Sequence, residues 1–208
     1  YFILSLLYFG LTSGACVLTA QYWGKKDTRT IEKVMGMSFR ISILAGIVFA
    51  AAAFFFPYQL MRIFTADEAV IAAGVSYLKI VAFSYVLSAF TNVYLNIIRS
   101  IEQVVIATVV YGTSLAANIV LNAIFIFGLF GAPAMGAAGA ALGTLCSRAV
   151  EVVIVVFYAV KINHVVKIRF KDWFVKDKAL SKDFFTYALP VLLNEIAWGA
   201  GMAAISAI

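Results

Sequence analysis

The 208-residue sequence is 64% hydrophobic and only 12% charged, where a soluble domain averages about half apolar and a quarter charged. That balance excludes an ordinary soluble domain and points to a chain that lies mostly in lipid. The net charge of +6 sits in short loops, which fits membrane orientation and argues against nucleic-acid binding.

Six apolar segments follow, at about 1–24, 37–56, 69–98, 104–127, 137–160 and 189–208. Each is long or nearly long enough to cross a hydrocarbon core of about 30 Å. No loop between them has room for a soluble domain, so the predicted fold is an all-α, polytopic membrane helix bundle. Both ends fall inside apolar runs, so the sequence reads as a piece of a longer protein. Nothing in it resembles a signal peptide. Cys16 and Cys146 lie in separate apolar runs and form no C-x-x-C pair, which reads as two buried small hydrophobes.

The first segment carries Tyr8, Thr12, Thr19 and Gln21 among Gly10, Gly14 and Ala15. Small residues let helix backbones approach closely, so this face is expected to pack on a neighbour. Arg40, near the start of the second segment, is placed to snorkel to the interface. Thr65 before Asp67 and Glu68 reads as a helix start, with acids at the positive end of the dipole.

The third segment holds a polar line, Ser84, Ser88, Asn92, Asn96 and Ser100, each four residues on from the last. Four residues is about one helical turn, so the line shares one face. Facing lipid it would be unfavourable, and it is placed toward the bundle interior or a water-filled cavity. It serves either interhelical hydrogen bonding or a substrate path formed by Ser84, Ser88, Asn92 and Asn96.

The fourth segment repeats the pattern with Ser114, Asn118 and Asn122. Two carboxamides on one face of a lipid-depth helix require partners inside the protein. The glycine-rich connection that follows lacks the G-K-[ST] of a phosphate loop. Its Gly139 and Gly143 form a G-x-x-x-G step expected to dock the fifth helix on the fourth, bringing Thr144 toward Asn118 and Asn122. Arg148 and Glu151, three apart, are expected to neutralise each other as a structural pair.

The stretch 161–188 mixes bases with Val165, Val166, Ile168, Phe170, Trp173 and Phe174, as an inner-leaflet anchor and linker would. His164 has no second ligand near it in sequence, and no metal site is expected. The last segment opens with Pro190, expected in a first turn, and carries Glu195. No base lies within four residues of Glu195. A carboxylate at that depth is disfavoured when charged, which suits a group that exchanges a proton or a small cation; intramembrane acids are functional by default. A structural hydrogen bond to another helix is the alternative. A membrane enzyme would need His, Asp or Glu clustered at one depth, and the segments offer only Glu151 and Glu195, so the protein is not read as an enzyme.

Lysine and arginine alternate across the loops. Lys25, Lys26, Arg29 and Lys33 lie in the first, Arg99 in the third, and seven bases between Lys161 and Lys182 in the fifth; the second has Arg62 alone and the fourth has none. By the positive-inside rule the loops 25–33, 99–103 and 161–188 are cytoplasmic.

Four motifs carry a family resemblance: I-I-R-S at 97–100, N-I-V-L-N-A-I-F-I-F-G at 118–128, G-A-P-A-M-G-A-A-G-A-A-L-G-T at 131–144 and L-P-V-L-L-N-E at 189–195. In this order and spacing the chain resembles the multidrug and toxic compound extrusion family of secondary transporters over essentially its whole length. The resemblance implies twelve helices in two six-helix lobes, of which this chain matches helices two to seven. On that plan 1–160 holds five helices of the amino-terminal lobe, 161–188 is the inter-lobe linker, and 189–208 is the first helix of the carboxy-terminal lobe.

It further implies a cation-coupling role for Asn118, Asn122 and Thr144, whose aspartate partner on the family's first helix would lie before Tyr1. Some members carry an aspartate where this chain has Asn122. Glu195 matches a seventh-helix acid that resembles a carboxy-lobe cation ligand. The implied activity is antiport across the cell (inner) membrane, exporting amphipathic or cationic organic compounds in exchange for protons or sodium ions. No cofactor is implied. The implied partners are small organic substrates, the lipid bilayer and the remainder of the transporter. A lipid-linked oligosaccharide flippase of the same superfamily is the alternative.

Overall fold

The computed structural model describes residues 1–131, 133–174 and 177–206. Among them the regular structure is helical: α1 (Phe2–Gly24), α2 (Thr28–Phe55), the short α3 (Pro57–Arg62), α4 (Glu68–Ser100), α5 (Val104–Phe127), α6 (Ala137–Lys161) and α7 (Lys178–Ser206), with 3₁₀ turns at Leu129–Gly131 and Phe170–Phe174. The all-α expectation holds. Helices α1, α2, α4, α5 and α6 are each long and apolar enough to cross a membrane. The expected sixth segment lies on α7, and its last two residues fall outside the described part.

Three boundaries differ from the sequence reading, each for a local reason. Helix α2 starts at Thr28 rather than 37, because Asp27 caps it: its carboxylate accepts from the Thr30 N–H at 3.0 Å and the Thr30 hydroxyl at 2.6 Å. Ile31, Val34 and Met35 then bury one face of the added turns. Helix α4 is capped by Asp67, which accepts from the Ala69 N–H at 2.8 Å; the Thr65 hydroxyl instead accepts from the Asp67 N–H. Helix α7 starts at Lys178, within the stretch read as linker, and Asp177 accepts from the Leu180 N–H at 3.2 Å. Leu180, Phe184 and Ala188, four apart, bury one face of this extension. Pro190 therefore lies inside the helix rather than in its first turn.

The chain divides into two units. The first comprises Tyr1–Ala45, Ala89–Ala107 and Val156–Ile208, the second Gly46–Ser88 and Thr108–Val155. In the first, α1 packs on α7 through its small residues, as expected. A Cβ on Gly10 would lie 2.7 Å from the Leu192 Cα, and one on Gly14 would lie 2.5 Å from the Ala188 Cβ. Hydrogen on those two α-carbons is what permits the approach.

The 161–174 stretch is strapped to α2. Arg29 bonds Asp172 and Glu32, Glu32 also accepts from Arg169 at 3.0 Å and from the Lys167 N–H at 3.0 Å, and Trp173 stacks on Phe39 at 5.2 Å. Gly36 sits against the Asp172 backbone, where a Cβ would come within 2.6 Å of the carbonyl carbon. Buried Asn163 donates to the Tyr94 hydroxyl at 3.0 Å. Phe170 and Phe174 point outward, 71% and 73% exposed. Trp173, grouped with them in the sequence reading, turns inward.

In the second unit, Ile71, Val81, Ala82, Tyr85, Val110, Ala141 and Val155 form the buried core. Ser84 and Ser88 are buried here, and the Ser84 hydroxyl donates to the Val81 carbonyl at 2.6 Å.

Candidate functional site

Each unit contains a polar cavity. In the first, a cavity of about 540 Å³ is lined by Ser5, Leu6, Phe9 and Thr12 of α1, Asn92 and Asn96 of α4, and Asn194, Glu195 and Trp198 of α7. The four-residue spacing of Asn92 and Asn96 puts both carboxamides on the cavity side. The Asn96 amide donates to the Asn92 carbonyl at 2.8 Å, and the Thr12 hydroxyl donates to the Tyr8 carbonyl at 2.8 Å. Trp198 leans on Phe2, ring centroids 6.2 Å apart, so an aromatic wall stands beside the carboxylate. Among the described residues Glu195 has no hydrogen-bond or ion-pair partner.

The second cavity, of about 280 Å³, lies between α5 and α6. Tyr111, Ser114, Leu115 and Asn118 line one side and Thr144, Ser147, Arg148 and Glu151 the other. The G-x-x-x-G step brings the helices together as its spacing predicts. A Cβ on Gly139 would strike the Phe125 carbonyl oxygen, and one on Gly143 would strike the Asn122 side-chain oxygen. The approach lets Asn118 donate to the Ser147 hydroxyl at 3.2 Å, while Asn122 donates to the Asn118 side-chain oxygen at 3.0 Å. The Thr144 hydroxyl donates back to the Ala140 carbonyl at 2.9 Å. The Asn122 side-chain oxygen is buried with no donor among the described residues, and such an acceptor carries a full desolvation cost until something fills it. Arg148 pairs with Glu151 at 2.6 Å, as the three-residue spacing suggests.

The sequence-predicted residues thus fall into two groups. Asn118 and Thr144 line one cavity, with Asn122 bonded to Asn118. Asn92, Asn96 and Glu195 line the other. Ser84 and Ser88, placed with Asn92 and Asn96 in the sequence reading, lie in the second unit and line neither cavity.

The MatE family model matches residues 1–124. The chain belongs to the MatE family. Five apolar helices make this MatE chain a multi-pass integral membrane protein. Over 94% of its length it is 24% identical to the probable multidrug resistance protein YoeA of Bacillus subtilis (strain 168), covering 43% of that protein. Over 92% it is 26% identical to the multidrug export protein MepA of Staphylococcus haemolyticus (strain JCSC1435), covering 41% of it. The chain therefore spans less than half the length of these relatives.

Among solved structures it superposes on the inward-facing conformation of a multidrug resistance MATE family transporter of the MOP superfamily with a TM-score of 0.81. That match is 25% identical over 93% of this chain and 43% of the other. It shares its fold, with a TM-score of 0.84, 24% identity and coverage of 97% of this chain and 44% of the other, with a MOP superfamily transporter from Pyrococcus furiosus Vc1 (DSM3638). For that protein a reversed binding-pocket polarity suggests a different function.

Sequence reasoning missed Ser147 as a partner of Asn118 and missed Ser5, Thr12, Asn194 and Trp198 beside Glu195. Ser147 carried a readable signal, lying one turn beyond Gly143 on the docked helix. Asn194 and Trp198 carried one as well, lying one and three residues from Glu195 on the same helix, whereas Ser5 and Thr12 did not, since their place depends on how α1 and α7 cross.

Proposed function

We propose that this MatE chain forms part of a secondary active antiporter that exports amphipathic or cationic organic compounds in exchange for protons or sodium ions. The observation that carries the reading is the 540 Å³ cavity, where Glu195 stands among carboxamides and beside Phe9 and Trp198. A volume in that range suits a drug-sized ligand. A carboxylate with aromatic faces attracts an organic cation by charge and by the ring quadrupole.

The α5–α6 pocket supplies the other half of the reading. Asn118, Asn122 and Thr144 offer oxygen donors suited to a hard cation, and the orphan oxygen of Asn122 is the kind of group a bound ion satisfies. An ion biases a conformational change only through its different affinity for the two states. The membrane potential adds about 2.3 kcal/mol per charge per 100 mV. The basic loops 25–33, 99–103 and 161–188 are taken as cytoplasmic.

A lipid-linked oligosaccharide flippase is the second reading. An anionic headgroup calls for a cationic lining, whereas Glu195 is the only charged residue on the wall of the larger cavity among the described residues.

The test is ethidium efflux from cells expressing the full-length protein, with the sodium and proton gradients varied separately. Efflux that collapses with one gradient names the ion. Glu195→Gln should then abolish ethidium export, and unchanged export would remove Glu195 from the mechanism. Absence of efflux under every gradient would favour the flippase.

A further inference from the structure

The α5–α6 pocket contains an ion pair that the antiport reading does not use. Arg148 and Glu151 lie in the middle of α6, far from either end, and are bonded at 2.6 Å. Their exposures are unequal: the Glu151 side chain is 1% exposed and that of Arg148 is 24%. Stability alone is a poor reason to keep such a pair, because desolvating both charges offsets their attraction and apolar residues of similar volume commonly do as well.

The pocket's volume limits the ligand. Drug-sized sites begin near about 300 Å³, and a water molecule takes about 30 Å³, so a space of about 280 Å³ holds a small ion with several waters. Ser114, Asn118, Thr144 and Ser147 share that space with the Glu151 carboxylate, an oxygen-rich wall of the type that hard cations take. Tyr111 is the other ionisable side chain facing it.

We infer that Arg148 is a tethered cation that occupies Glu151 when the coupling ion is absent and is displaced toward the open side of the pocket when a monovalent metal cation binds there. The inference rests on the reading that this pocket serves the coupling ion, and it adds the Arg148–Glu151 pair to Asn118, Asn122 and Thr144. With the guanidinium on Glu151 the pair is neutral. When the metal cation enters, it neutralises the carboxylate and the guanidinium moves toward the open side of the pocket, where its side chain is already 24% exposed. One cation replaces another, so the carboxylate is never buried alone, the state that burial penalises most. The exposure difference sets the direction, since Arg148 already reaches the open side and Glu151 does not.

The test uses the full-length protein in nanodiscs at fixed pH, titrated with sodium chloride against choline chloride at constant ionic strength, with bound sodium as the readout. Cation-driven ethidium efflux by the wild type is measured alongside; without it the coupling reading itself fails. Where efflux is present, saturable sodium binding by the wild type is expected, and its absence overturns the inference alone.

Arg148→Gln removes the internal competitor and should tighten sodium binding at least about tenfold, while Glu151→Gln should abolish it. A pair that is only structural would weaken binding in both variants or leave it unchanged. Should Arg148→Gln fail to fold, Arg148→Lys keeps the charge but lacks the planar fork, and should bind sodium about threefold more tightly than wild type. Sodium binding equal to or weaker than wild type in the Arg148 variant that folds, or undiminished in Glu151→Gln, overturns the inference.

Discussion

Arg29 forks onto Asp172 with two parallel hydrogen bonds, 2.6 Å and 2.7 Å long, joining the first turn of α2 to the 3₁₀ turn after α6. The pair is asymmetric, with Asp172 1% and Arg29 50% exposed at the side chain. Removing the exposed partner strands a buried carboxylate, whereas removing the buried one leaves a guanidinium that water can solvate and that still bonds Glu32. Arg29→Ala should therefore cost more stability than Asp172→Ala. Thermal unfolding of the two variants in detergent measures the order, and equal losses would contradict it.

Gly143 and Gly112 offer a matched test of close approach. A Cβ at Gly143 collides with the Asn122 side-chain oxygen and comes within 3.2 Å of its backbone nitrogen, whereas a Cβ at Gly112 meets nothing within 4 Å. Gly143→Ala should push α6 from α5 and break the Asn118–Ser147 hydrogen bond, lowering ion-coupled efflux at least about tenfold. Gly112→Ala should stay within about 0.5 kcal/mol of wild-type stability and keep its activity. Efflux and unfolding of both variants in the full-length protein give the comparison.

Trp198 should govern affinity rather than turnover. Its ring borders the same cavity as Glu195, and a partly desolvated cation–π contact contributes about 1–2 kcal/mol. Trp198→Ala should raise the KM for a cationic substrate about fivefold to thirtyfold, with the maximal rate less affected. Trp198→Phe should recover part of the loss. A fall in maximal rate with KM unchanged would exclude this role.

Asp27 should give α2 a pH-dependent start. Hydrogen bonds from the Thr30 side chain and N–H hold its carboxyl below the ordinary aspartate range. A depressed folded-state value means that the cap's contribution is complete above the unfolded value, about 4, and is lost as pH falls through the folded value. Asp27→Ala should cost about 1 kcal/mol at neutral pH, and the difference from wild type should vanish well below pH 4. Unfolding midpoints of both proteins across pH 3–7 test this; a gap that persists at low pH would place the effect elsewhere.

Local chemistry made much of this legible. The G-x-x-x-G step at Gly139 and Gly143 implied a tight helix pair because only hydrogen on both α-carbons permits the approach. The Ser114–Asn118–Asn122 spacing required a shared face because the helical period is 3.6 residues. Less legible were the helix starts. The polar turns after Asp27 and Asp177 look like loop by hydropathy, yet each is helical because an aspartate satisfies its first N–H groups and one side packs on neighbours.

Composition, period and spacing by themselves determined that this chain is a bundle of membrane helices, which residues share a face, and that Arg148 meets Glu151, because each of these is set within one helix or by one short connection. Tertiary structure alone decided that Glu195 shares a cavity with Asn92 and Asn96, that Ser84 and Ser88 do not line it, and that Arg29 reaches Asp172. The grouping of Glu195 with Asn92 and Asn96 and the bonding of Arg29 to Asp172 join residues about a hundred or more positions apart. No local periodicity encodes the crossing of distant helices, which is fixed by the summed packing of many side chains.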